Sequence, residues 1–480
     1  MGTFGGISTA LSSLIAQRTA LDVHGQNIAN ANTRGYTRQR AELGAITTVQ
    51  VPSMFATSDG VGAGVRVTGV ARADDAFLDA KLRTQTAGAA YLTARAEVYA
   101  TLESSLGEPS ETGLASALST FWADWHDVAN NPHVSSTRAV LLDDARQLAD
   151  SLHQLHADVA TQWRQARTTA ITLVDQANAT AANVAELNGR ILGVTVAGGA
   201  AHELADQRDL LVTQLSDLVG VTVQPREDGQ LDLFVGGNAL VFGSTARVLT
   251  VAGAADFGQA AGYDATPAYG VHLEWADRPG QRVPMAAGEV TGLLTALAAP
   301  EPDGTGGILT EAAMRLDAVA TSLVERVNAI HYTALTTGGT TNQNFFVPLA
   351  AGSAAAQIGV AISAPQDVAV AAAGLGANDG SIGQLIADLG LASDGPDDEW
   401  NRTVVETANR TAAALSRSTV AELARTSAEQ DQLAQASVDT DEETVAMLAA
   451  QRAYEAAARV MTAIDEMLDV LINRTGIVGR

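Results

Sequence analysis

The chain has 480 residues, carries 54 acidic against 29 basic side chains for a net charge of −25, and contains a single lysine, Lys81. The length suits about three domains, and an acidic chain without a basic run repels phosphate backbones and anionic membrane surfaces, which argues against nucleic-acid binding. There is no cysteine, so disulfides, thiolate metal sites and cysteine nucleophiles are excluded.

Hydrophobic residues make up 46% of the chain, enough for a sizeable core, but aromatics are only 4%. Alanine fills much of the apolar fraction and suits close helix–helix packing. No run of 18 uninterrupted apolar residues occurs, so no transmembrane helix and no membrane insertion are expected. Met1 to Ala20 has no cationic start before its apolar residues and does not read as a cleaved secretory signal.

In chain order, Ile7, Leu14, Leu21 and Ile28 fall seven apart, with Leu11 between them. This spacing predicts a helix with one apolar seam, flanked by Arg18 and Asp22. The pattern stops at Asn30-Ala31-Asn32-Thr33-Arg34-Gly35-Tyr36, where asparagine and glycine supply helix-ending conformations. Residues 40–72 read as extended, with Val61, Val65, Val67 and Val70 set among glycines. A helix is predicted from Asp74 to about Leu106. A second helical block runs from about Gly113 to Leu218, broken near Asn130-Asn131-Pro132 and Ala197-Gly198-Gly199.

Period two then takes over at Val219, Val221 and Val223, and resumes at Leu231, Leu233 and Val235 after an Asp228-Gly229 turn. Gly236-Gly237 turns the chain before Leu240-Val241-Phe242. Val271, Leu273 and Trp275 precede a turn expected at Arg278-Pro279-Gly280. Together these predict a β-rich insert of several hairpins. Helical periodicity returns from about Leu309 to Leu335, and Thr336 to Asn344 reads as a loop or exposed hairpin. Residues 345–400 are mixed, with Asp394 to Glu399 read as a polar loop. From about Trp400 onward the chain is helical. Ala446, Ala453, Val460 and Met467 fall seven apart there, and so do Ala450, Ala457, Ile464 and Leu471.

A lone helix cannot bury its own seam, and each exposed Leu or Ile forfeits about 1.5–3 kcal/mol. The two terminal seams therefore need each other or neighbouring subunits, or else form an ordinary antiparallel pair within a globular fold.

Ser12 to Arg40 carries Asn27-Ile28-Ala29-Asn30 followed by Asn32-Thr33-Arg34-Gly35-Tyr36. This closely resembles the N-terminal signature of flagellar rod, hook and hook-associated proteins, with Arg34 where the family often has proline. Ser437 to Arg480 has an acidic Asp441-Glu442-Glu443 start, an Ala453 to Val460 core and an Asp465 to Asp469 segment. That end resembles the hook-associated protein 1 family, the hook–filament junction proteins. Leu204 to Leu211, Phe121 to Pro132, and Leu323 to Tyr332 with Phe345-Phe346 agree with it.

The resemblance implies a structural subunit needed for filament assembly and motility, not an enzyme, with no cofactor. It implies self-assembly into a ring, contact with the hook protein and with a second hook–filament junction protein, and an export chaperone on the C-terminal segment. It further implies an extracellular place on the flagellum, reached by type III export without a cleaved signal peptide. The residues it assigns to subunit assembly are Ile7, Leu11, Leu14, Leu21, Asn27, Ile28, Asn30, Asn32, Gly35 and Tyr36 at the N-terminus. At the C-terminus they are Ala446, Ala453, Tyr454, Val460, Ile464, Met467 and Leu471.

Four further motifs bear on other chemistry. His202-Glu203-Leu204-Ala205-Asp206 matches the start of a zinc-protease pattern, but aspartate replaces the second histidine, and a polar helix face near Arg208 is favoured. His153 and His156 share a helix face without a third ligand, which favours an exposed helix. Gly60-Val61-Gly62-Ala63-Gly64 lacks the lysine and helix of a phosphate loop. Trp122 and Trp125, one turn apart, read as core.

The expected molecule is an elongated α+β protein with discontinuous domains. Residues 1–73 with 437–480 form a terminal domain of coiled-coil-like helices, and 74–218 with 301–335 and 400–436 a helical bundle. Residues 219–300 form a β-rich outer domain, and 336–400 a mixed segment that joins it or caps the helices. The rival readings are a hook or distal-rod subunit, which the long helical middle argues against, and a secreted hydrolase or adhesin.

Overall fold

The computed structural model describes residues 3–46, 62–264, 267–301, 304–376 and 378–473. Gly60 and Val61 therefore lie outside the described residues.

Helix α1 (Thr3–Asn30) leads into a two-stranded antiparallel sheet, β1 (Gln39–Ala45) and β2 (Val65–Arg72). Helix α2 (Ala76–Leu106) starts at Asp75, whose carboxylate accepts from the amides of Phe77 and Leu78, and stops at Gly107 with φ 64°. Helices α3 (Leu114–Asn130), α4 (Ser135–Val196) and α5 (His202–Val219) follow, broken where the Asn-Pro and Gly-Gly signals stand. The 62 residues of α4 make it about 93 Å long.

Helix α5 runs through Val219, so the first strand begins only at Thr222. The expectation that Val219 opens period two is corrected. Its Leu215 and Val219 complete the apolar face of a helix, and Gly220 with φ 63° ends it. A Cβ at Gly220 would stand 2.8 Å from the Ala287 carbonyl oxygen, so only glycine fits.

Two small antiparallel sheets fill the insert. The first orders β3 (Thr222–Pro225), β4 (Leu231–Val235), β5 (Asn238–Phe242) and β6 (Thr245–Ala246). Gly236 and Gly237, with φ 54° and 77°, form the two-residue turn between β4 and β5. The second sheet orders β7 (Leu249–Gly253), β8 (Val271–Trp275) and β9 (Arg278–Arg282), with α6 (Phe257–Ala261) between its first two strands. Trp275 pairs with Arg278, so the turn is Ala276-Asp277 and not Arg278-Pro279-Gly280. Pro279 and Gly280 sit in an irregular register on an edge strand, where proline costs no ladder bond.

Helices α7 (Glu289–Ala296), α8 (Ile308–His331), α9 (Ala354–Gln357), α10 (Ser381–Ala387), α11 (Pro396–Ala436) and α12 (Thr440–Asn473) complete the chain. Asp394 to Glu399 is not a loop throughout. Pro396 stands in the first turn of α11, where its missing amide costs nothing, and Asp397, Asp398 and Glu399 complement the helix dipole.

The fold is thus mixed α+β, with helix predominant. One large core joins α2, α3, α4 and α8. Phe121, Trp125, Trp163, Phe345, Phe346 and Trp400 are fully buried in it. Phe345, Phe346, Ile358, Val368, Val370 and Ile386 place the 345–395 stretch against this helical core. A second core seats the sheets on α4 and α5 through Val212, Leu215, Leu233, Val241 and Trp275. His156 is not simply exposed. Its ring packs against Phe257 and Tyr263, 5.7 and 5.8 Å between centroids. Its neighbour His153 faces Asp150 at 3.7 Å.

Candidate assembly site at the paired termini

Helices α1 and α12 pair antiparallel. At one end a Cβ on Gly6 would stand 3.0 Å from Ile464 Cδ1, and at the other Asn27 meets Glu443. The face α12 turns inward is Glu443, Ala450, Ala457 and Ile464, each seven apart and each buried. The matching face of α1 is Ala10, Ala16, Val23 and Asn27.

The pair divides the residues of both expected seams between its inner face, its margin and its outside. Ile7, Leu14, Leu21 and Ile28 are half-buried and straddle the contact, while Leu11 is 49% exposed. On α12, Ala446 and Ala453 are half-buried, and Tyr454, Val460, Met467 and Leu471 are exposed. Of the second series, Ala450, Ala457 and Ile464 do face inward and Leu471 does not. The physical reason is closeness. Alanine faces let two helices approach, which leaves the larger side chains at the margin or on the outside. Val460 and Met467, with Leu11 and Ile15, leave apolar surface that the described residues do not cover.

The end of the pair is closed by a polar clamp. Asn27, fully buried, donates from Nδ2 to the Gln39 carbonyl at 2.8 Å and to Glu443 Oε2 at 3.0 Å. Its Oδ1 accepts from the Gln39 amide and the Tyr36 hydroxyl, both at 2.9 Å. The Glu443 side chain has no exposed surface. Its oxygens contact His24 Nδ1 at 2.6 Å and accept from Arg38 Nε at 2.6 Å. Burial pushes this carboxyl up, but the bonds from Asn27 and His24 and the Arg38 charge outweigh it and hold it below its ordinary value. Burial, with Asp206, Glu203 and Glu443 nearby, pushes the Tyr36 hydroxyl up to about 12.

The signature turn ties this clamp to the helical body. Gly35 takes φ 82°, which a side chain rarely adopts, and packs its bare Cα beside Leu210. The Thr37 amide donates to Asp206 Oδ2 at 3.2 Å, and Arg38 N donates to the Ala436 carbonyl at 2.9 Å. Arg72 reaches Asp206 Oδ1 at 2.9 Å and Asp209 Oδ2 at 2.8 Å. Asn30 bonds back to the Gln26 carbonyl at 3.0 Å, and Asn32 is exposed.

Asp206 is therefore engaged with Arg72 and Thr37. Among the described residues no group of three or more His, Asp or Glu is placed to hold a metal ion. Trp122 and Trp125 lie in the core, with Trp122 Nε1 donating to Asp397 at 2.7 Å. Among the described residues no helix is long and apolar enough to cross a membrane.

Sequence reasoning missed Glu443, His24, Arg38, Asp206 and Arg72 as members of one site. One signal was present. Counting back seven from Ala450 gives Glu443, a charge at a seam position, and a buried charge requires partners.

The paired termini and the middle of the chain each match models of bacterial flagellar proteins. A family model described as "Flagella basal body rod protein" matches residues 7–37, and one for the C-terminus of flagellar basal body rod FlgEFG proteins matches 429–474. A third, "Flagellar hook-associated protein FlgK helical domain", matches residues 99–346, and the chain belongs to this FlgK family.

Flagellar hook-associated protein 1 of Bacillus subtilis (strain 168) is 28% identical, with 100% of this chain and 99% of that one aligned. The Escherichia coli (strain K12) and Salmonella typhimurium proteins of the same name are 32% and 33% identical over 51% of this chain. Those alignments cover 44% and 43% of theirs. The solved flagellar hook junction protein FlgK from Burkholderia pseudomallei shares the fold. Its TM-score is 0.63 at 15% identity, covering 75% of this chain and 100% of that chain.

Proposed function

We infer that the chain is a structural subunit of the flagellum that joins hook to filament, and that it catalyses no reaction. The carrying observation is the α1–α12 pair. Its inner face is closed by the Glu443 clamp, while Leu11, Ile15, Val460 and Met467 are left uncovered by the described residues. Burying such side chains against neighbours contributes about 1.5–3 kcal/mol each, which supports self-assembly of the terminal helices into a ring. In this reading the ring contacts the hook protein on one side and a second junction protein on the other. An export chaperone covers the C-terminal segment beforehand, and the subunit reaches the cell exterior without a cleaved signal peptide.

The domain division proposed is a terminal domain of residues 1–73 with 437–480, a helical body of 74–218 with 301–335 and 400–436, and a β-rich domain of 219–300 facing outward. The 345–395 stretch then caps the helical body, on whose core it packs.

Electron microscopy of cells lacking the gene tests the reading, with flagellin assayed in the medium. Hooks without filaments, and flagellin lost to the medium, are expected. Missing hooks would assign the chain to the rod or hook, and normal filaments would refute the junction role.

A further inference from the structure

Helices α3 and α4 are joined by residues 131–134 and pack against each other as an antiparallel hairpin. The seam between them is apolar, with Phe121, Trp125 and Val128 of α3 and Leu141, Ala145 and Leu148 of α4 buried in it. Asp124 and Asp144 stand at the margin of that seam, each one residue before a buried position, and the antiparallel course brings them level.

Asp124 Oδ2 is buried, and among the described residues no donor reaches it. What the Asp124 carboxyl meets is the carboxyl of Asp144, in a hydrogen bond across the two helices. Ionised carboxylates only accept, so such a bond exists only while one of the two groups carries a proton. The charges that act on Asp124 are those of Asp144 and, on its own helix, Asp127. The arginines of α4 nearby in sequence are committed elsewhere, Arg138 to the Pro132 carbonyl and Arg146 to Asp143 at 2.7 Å.

The remaining elements packed on α3 meet its other faces. Trp122 donates to Asp397 of α11, and His126 Nδ1 lies 3.2 Å from Gln384 of α10, which in turn donates to Asp388. His331 of α8 packs edge-on against Trp125, 6.1 Å between centroids. Burial, then the hydrogen bond and charge of Asp144, then the charge of Asp127, push the Asp124 carboxyl up to about 7.

We propose that Asp124 and Asp144 share one proton and form a latch between α3 and α4, closed while the proton is held and strained once it leaves. Departure of the proton sets two carboxylates side by side at the edge of a dry seam, where their repulsion is poorly screened. Between the ordinary carboxyl range and about 7 the folded chain holds a proton that the unfolded chain has released. Rising pH therefore costs stability across that window, and the cost is complete above it. The pair lies in the helical body, apart from the Glu443 clamp, so it stands independently of the junction reading.

Unfolding of the full-length protein and of Asp124→Asn, compared at each pH from about 5 to about 8, tests the latch. The difference between the two is read, so groups common to both, His331 among them, cancel. The amide of Asp124→Asn can donate to Asp144 at every pH. It should lower the unfolding constant by at least about tenfold at about pH 8 and by progressively less toward about pH 5. Asp144→Asn should do the same. Asp127→Asn, at an exposed position, should change the constant by less than about threefold. Amides of α3 should exchange faster at about pH 8 in the wild type than in Asp124→Asn. Infrared spectra of the folded wild type at about pH 6 should show a protonated carboxyl that Asp124→Asn or Asp144→Asn removes. An effect of both variants that does not vary with pH would overturn the proposal, as would α3 exchange equal in the two proteins. So would a wild type without that carboxyl band, a band that both variants retain, or calcium ions abolishing the pH dependence, which would assign the pair to a cation.

Discussion

A carboxylate with no exposed surface is stable only while its donors stay in place, and Glu443 has three. Glu443→Ala leaves the buried Asn27 amide without one of its acceptors and should cost about 2 kcal/mol. Its neighbour Glu442 also meets Arg38, at 2.9 Å, but is 65% exposed, so Glu442→Ala should cost less than about 0.5 kcal/mol. Hydrogen exchange along α12 compares the two, and equal effects would count against the clamp.

Acidity separates two other contributions. The Glu443 pKa is lowered on folding, so its stabilisation is present above the unfolded value and disappears as pH falls through the folded one. His331 works in a higher window. It is buried, with Nδ1 2.7 Å from the Gln343 carbonyl, so that nitrogen carries the proton, while Nε2 accepts from the Ala369 amide at 3.0 Å. Burial lowers its pKa to about 4 from 6.5. The unfolded chain therefore binds this proton first, and stability falls as pH drops below 6.5 until about 4. The loss should reach about 3 kcal/mol. Unfolding midpoints across that range should flatten in His331→Gln, and an unchanged slope would refute the assignment.

At the scale of elements, α12 has an inward face of small residues and an outward face of larger ones. Ile464→Asp puts a charge against Gly6 and should separate α1 from α12, so that brief proteolysis removes residues before about 40 and after about 440 and leaves the middle intact. Val460→Asp changes a side chain 52% exposed. It should leave the monomer's protease pattern unaltered while abolishing assembly into filament-bearing flagella. Normal assembly by Val460→Asp would exclude the outer face as an interface.

The elements themselves were largely legible, because Gly and Asn-Pro breaks bound long periodic runs such as α4 and α5. The facing of the seam was not. Reading period from the large residues Leu14, Leu21 and Val460 hides a contact made by Ala16, Ala450 and Ala457, whose weak hydrophobicity carries little signal. The start of α11 was misread because acids suggest a loop, although Gly395-Pro396 ahead of three acids is a helix opening.

For the whole molecule, the two cores share one scaffold, since α4 contributes Leu141 to Trp163 to the first and Val174 to Val184 to the second. The sheets are thereby carried on the same continuous helix that anchors the aromatic core. The clamp was the least legible feature, because its partners lie 416 and 419 residues apart and no local pattern links them.

That separation also orders events in time. Closing a loop of such length is among the most demanding steps in a chain of this size. Whichever end emerges first, from a ribosome or through a narrow channel, its helix waits unpaired until the opposite end arrives. The terminal pair is thus the last part of the protein that can finish, and Asn27 and Glu443 meet only once nearly the entire polypeptide is present.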